Sequence, residues 1–191
     1  FGKWDSGLEQ LPDQHGYELY QSCKKEKSVQ EAGEQLSHAV RIPGESDPVR
    51  GLISAETSRP AEQFECMRVA SAVEDYLAHP SGDDDRPFYI FASCTEPHVP
   101  WRCPSEYAHR YDPREISAWP TFRDAFEGRP QSYLTEYNGH NYCHPKLDWP
   151  EMAQAIAHCY GVISIVDDAL GRMLDALEGQ GLLDSTMVVF A

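Results

Sequence analysis

The sequence predicts an α/β fold in which part of a largely parallel sheet is flanked by helices. Three observations carry that reading: an amphipathic pattern over 61–79, a continuous apolar run at 87–94, and a long helical pattern leading into a second apolar run at 187–191. Helix, loop and buried strand in that order, met twice, is the repeating part of βαβ architecture.

The first element is justified by spacing. In "AEQFECMRVASAVEDYLAH" the residues Phe64, Met67, Val69, Ala70, Val73, Tyr76 and Leu77 largely follow the i, i+3, i+4 recurrence of a half-buried helix. Ser58 is placed to cap its start and Pro80 to stop it. Upstream, residues 11–60 are polar and punctuated, which predicts irregular connection with turns at Pro43-Gly44 and Asp47-Pro48.

"PFYIFASC" over 87–94 has little polar alternation, as expected of a strand buried on both faces. Residues 101–150 mix Pro, aromatic and charged residues without sustained period. They predict a long excursion with one short helix, and "RCPSEY" within it reads as loop. From residue 151 a 3.6-residue stripe of Met152, Ile156, Cys159, Ile163, Val166, Leu170, Met173, Leu174 and Leu177 predicts a long helix that ends at Gly179 and Gly181. Gly161 and Gly171 inside it point to close packing by a neighbour. "MVVFA" then reads as a second buried strand.

Composition bounds the function. The chain has 191 residues, enough for one domain, and no apolar stretch approaches the roughly 20 residues that a bilayer helix needs. The net charge of −15 repels phosphate backbones, so no nucleic-acid partner is expected, and an anionic substrate would need a local basic pocket. Six cysteines without a C-x-x-C pair argue against a zinc ribbon or a thioredoxin-like site, while permitting three disulfides.

The sharpest chemical feature is "SCTEPHVPW". It follows the predicted strand at the edge where α/β sheets bind ligands, and Pro97 and Pro100 stiffen the chain on either side of His98. An imidazole held there can donate to an oxyanion or act as general acid. A loop histidine that only satisfies neighbouring backbone fits the position equally well. Lys3 in "GKW" stands beside a glycine that permits close approach to an anion, although a solvated surface lysine explains an isolated tripeptide better. Asp167 and Asp168 lie one turn from Arg172 and read as a helix ion-pair feature. His140 and His144 have i, i+4 spacing, but Gly139 and Pro145 deny them the helix that would align them on a metal.

Three segments together resemble the sulfatase family of the alkaline-phosphatase-like superfamily. "GKWDSGLEQLPDQHGYELY" is similar to the family's Gly-Lys-Trp-His-x-Gly segment, and "DRPFYIFASCTEPHVPWRCPSEYAHRYDP" to its strand and Pro-His-x-Pro loop. "HCYGVISIVDDALGRMLDALEGQGLLDSTMVVFA" resembles the helix and strand that lead into its Asp-His/Asn-Gly metal motif. The resemblance implies a sulfuric ester hydrolase that acts on a sulfated small molecule or glycan. It also implies a formylglycine nucleophile and a divalent cation, usually calcium, with Lys3 and His98 contacting the sulfate.

The same resemblance implies that residues 1–191 are an internal part of the catalytic domain, truncated at both ends. The nucleophile would lie upstream and the metal motif downstream, so this piece alone is expected to be inactive, and none of its own residues is assigned to a metal. It favours an extracytoplasmic location and leaves the oligomeric state open. Asp5 stands where the family usually has His, and a carboxylate there opposes an anionic substrate. Two alternatives remain open: a phosphodiesterase or phosphonate hydrolase of the same superfamily, and a pseudoenzyme that binds a sulfated glycan without turnover.

Overall fold

The computed structural model describes residues 14, 16, 17, 19, 21, 33–47, 51–79, 86–122, 127, 128, 130 and 147–191. Lys3, Asp5, His140, His144, Cys23 and Cys143 therefore lie outside the described residues, as does the turn partner Pro48. The fold is α/β. Strands β1 (Leu36–Arg41), β2 (Leu52–Thr57) and β3 (Trp101–Pro104) form one sheet in the order β1-β2-β3. Helices are α1 (Glu65–Ala78), a single turn α2 (Ser105–Ala108) and α3 (Trp149–Gly179). The chain divides into two compact units, the first from described residues within Phe1–Ala32, Pro60–Glu96 and Ser164–Ala191, the second from Gly33–Arg59 and Pro97–Ile163.

In the second unit β2 pairs antiparallel with β1 and parallel with β3. All six residues of β2 are buried, which suits a central strand. The expectation of irregular connection up to residue 60 is therefore corrected: a hairpin stands there, turning at Pro43 and Gly44, where Gly44 takes a φ of 83°. The strand pattern is obscured because β1 is bulged between Ser37 and Val40, with His38 in the left-handed region at φ 47°, and because β2 buries polar Ser54 and Glu56.

Apolar residues of β1, β2 and the start of α3 make the core, with Val40, Ile42 and Ile53 meeting Leu147, Met152, Ala155 and Ile156. "RCPSEY", expected as loop, forms β3 and α2. It is fixed by a close approach to α3: a Cβ on Gly161 would lie 2.3 Å from Cys103 Sγ and 3.0 Å from the Tyr107 carbonyl oxygen. Gly161 is thus the glycine that close packing requires. The helical stripe is rotated from the one expected here, because Val162 and Ile165 are buried while Ile163 is exposed.

In the first unit α1 buries Met67, Val69, Ala70, Val73 and Leu77. Val73 and Leu77 pack on Leu177, together with Met173, Leu174, Phe88 and Ile90. Arg172 of α3 braces α1 by donating to Glu74 at 2.8 Å and to Ser71 at 3.0 Å. Ser58 does not cap α1. Its hydroxyl accepts the Gln35 amide instead, and the start of α1 carries no local side-chain cap.

The apolar runs expected as buried strands are corrected too. Residues 87–94 form no strand and carry one isolated bridge at Ser93, with Phe88, Ile90 and Cys94 turned inward and Tyr89 and Phe91 exposed. Residues 187–191 are exposed along their length. An apolar run becomes a strand only where a neighbour accepts its backbone groups, and among the described residues neither run has a ladder. No helix among the described residues is long and apolar enough to cross a membrane.

Candidate functional site

His98 sits on the segment that leads into β3. Its side chain is exposed, and Nδ1 lies 2.6 Å from the Val99 carbonyl oxygen. A carbonyl only accepts, so Nδ1 carries the proton and Nε2 is the nitrogen left for a ligand. The segment is closed by Trp101, whose Nε1–H donates to the Pro97 carbonyl at 2.8 Å. The Arg102 amide donates to the Pro100 carbonyl at 3.0 Å, and the Val99–Pro100 peptide is cis. Proline on both sides of His98, legible in the sequence, thus belongs to a short closed loop.

The residues just before this loop are held within the first unit. Glu96 accepts the backbone amides of Glu65 at 2.9 Å and Cys66 at 3.2 Å. Thr95 donates its hydroxyl to Glu65 Oε2 at 2.7 Å. The Glu96 carboxylate therefore takes two of the unpaired amides at the start of α1, where negative charge also suits the helix dipole.

A second polar cluster in the second unit was not anticipated. Glu56 of β2 meets His38 Nδ1 at 2.9 Å and His109 Nε2 at 3.5 Å. Hydrogen bonding from Ser105 holds the Glu56 carboxyl below its ordinary value against the effect of burial, with help from the two histidines. Deeper in this unit His158 of α3 is buried between Ser54 Oγ and Gln154 Nε2, each 2.9 Å from a ring nitrogen. Burial pushes its imidazole down to about 4. His38 and Glu56, and His158 and Ser54, are distant in sequence; pairing of β1 with β2 brings the first two together, and packing of α3 on β2 the second.

The described cysteines are not activated as nucleophiles. Cys66, Cys94, Cys103 and Cys159 are free, and burial raises the Cys94 thiol to about 11 and that of Cys103 to about 12. Both stay protonated at neutral pH. Among the described residues no three His, Cys, Asp or Glu side chains are grouped so as to hold a metal ion, so these residues do not form a cation site.

Comparison with known proteins supplies the context that the loop alone lacks. A sequence model of the family Sulfatase matches residues 11–191. The chain belongs to the sulfatase family. The match spans both units and the His98 loop. Among curated relatives, the multifunctional alkaline phosphatase superfamily protein PehA of Trinickia caryophylli is 26% identical over 128 residues, 61% of this chain and 25% of its own length. An ulvan-active sulfatase of Formosa agariphila is 27% identical over 109 residues, 56% of this chain and 17% of its own length. This sulfatase-family chain therefore covers only a minor part of either relative.

Proposed function

We propose that the protein carrying this chain hydrolyses a sulfate ester of a small molecule or glycan, with Lys3 and His98 contacting the sulfate. The observation that carries the reading is the His98 ring: Nδ1–H is engaged by the Val99 carbonyl, which leaves Nε2 for an anionic oxygen. In the imidazolium form Nε2 donates to the departing ester oxygen. The ring then returns to the neutral Nδ1–H form that the loop already favours.

The ammonium of Lys3 would offset negative charge on the same group. The family membership also supports a formylglycine nucleophile and a divalent cation such as calcium, which when bound would polarise the sulfate oxygens. No described residue is assigned to hold either.

A second reading is hydrolysis of a phosphodiester or phosphonate, favoured by the relative named as a multifunctional alkaline phosphatase superfamily protein. One experiment separates the two: assay the whole protein and its His98→Ala variant on aryl sulfates and on matched phosphate diesters. The sulfatase reading expects preference for the sulfate and a loss of about 100-fold or more in kcat/KM on removing His98. Preference for the diester would replace it with the second reading. Tight binding of a sulfated ligand without turnover would sink both.

A further inference from the structure

We infer that Trp101 is a positioning residue for His98, acting through the Pro97 carbonyl; the inference rests on the reading of His98 given above. His98 is exposed, and among the described residues its ring bonds to the Val99 carbonyl, so the direction of the imidazole follows the backbone of residues 97–99. The two prolines restrict their own φ angles and the residues before them, and the Arg102 amide holds the Pro100 carbonyl, but neither fixes ψ of Pro97 or the torsions of His98. The indole N–H restrains those torsions. It donates to Pro97 across the loop at 2.8 Å and closes residues 97–101 into a bracket with His98 on its outer side.

The bracket is tied to a stiff body. Trp101 opens β3 in register with Ser54 of the fully buried β2. Its partly buried ring packs against the core formed by Val40, Ile42, Ile53, Met152 and Ile156. One side chain therefore links the core of the second unit to the carrier of the proposed acid, and a small shift of such a group is costly in rate. Packing alone would have been met by Phe or Leu at this position; the N–H on the carbonyl is what the indole adds.

The test is a double-mutant cycle in the whole protein, read on aryl sulfates whose leaving phenols rise in pKa. Trp101→Phe should lower kcat/KM about 3- to 10-fold, the worth of one hydrogen bond, and the loss should grow with leaving-group pKa. In a His98→Ala background the same change should have no further effect. Replacing Trp101 by an isosteric analogue with sulfur in place of N–H repeats the test should Phe disturb the core. Equal losses in both backgrounds, or no loss with His98 present, would overturn the inference while leaving the role of His98 standing. If His98→Ala itself is silent, the functional reading falls and the inference with it.

Discussion

Lowering the pH should loosen the second unit through His158, and the size of the effect follows from its burial. In the folded protein the imidazole is pushed down to about 4 from an ordinary 6.5, chiefly because the charged ring would lose its hydration. Glu56 acts in the opposite sense, and His38 and His109 reinforce the depression. Between these two values the unfolded chain binds a proton that the folded one refuses, so stability is complete above 6.5 and declines as pH falls toward 4. At roughly 1.4 kcal/mol per unit, the loss is about 2 kcal/mol near pH 5 and about 3 kcal/mol near pH 4.

The carboxylate of Glu56 gives up its own contribution only below the ordinary carboxylate value of 4.5, so the upper part of the window reports mainly on His158. Hydrogen exchange of peptides covering β2 and residues 153–163, corrected for intrinsic rates, reads the local effect in the intact protein. His158→Gln should flatten the pH slope there, which separates His158 from His38 and His109. An NMR titration that finds His158 near 6.5, or equal slopes for wild type and His158→Gln, would refute the reasoning.

Three further outcomes are expected. Gly161→Ala forces a Cβ against Cys103 Sγ and the Tyr107 carbonyl and should destabilise the protein by about 1–3 kcal/mol; combining it with Cys103→Ala should cost less than the sum, and thermal or chemical denaturation checks this. Glu96→Ala leaves the Glu65 and Cys66 amides without their acceptor and should cost about 1 kcal/mol; faster hydrogen exchange confined to the start of α1 would record it, and unchanged protection would count against the cap. Asp5→His should raise turnover of an anionic ester and shift its pH profile, and an unchanged profile would mean that Asp5 takes no part in the chemistry.

What could be read in advance depended on periodicity. Helices α1 and α3 announce themselves because their apolar residues recur over several turns, and the His98 loop because two prolines flank a histidine. The β1–β2 hairpin was hidden by its own chemistry. His38 occupies a bulge position that favours glycine, and β2 buries Ser54 and Glu56 where alternation predicts apolar side chains. Runs 87–94 and 187–191 misled in the other direction, since apolar content measures readiness to be covered and says nothing of whether a ladder is present. Of the candidate site, the tether from Trp101 ends on a backbone carbonyl, and the acceptor on α1 comes from Glu96, so neither leaves a pattern in residue types.

The carboxylate at the start of α1 also bears on the order in which the protein assembles. Glu65 and Cys66 find their acceptor 31 and 30 residues further along the chain. A helix capped by its own neighbour has its first turn stabilised locally; this one gains that stabilisation only when residues 94–96 fold back on it. Loop closure of that length precedes the stabilisation it brings. The protection of the first turn of α1 is therefore tied to the docking of residues 94–96, a contact made across 30 residues of chain rather than within the helix.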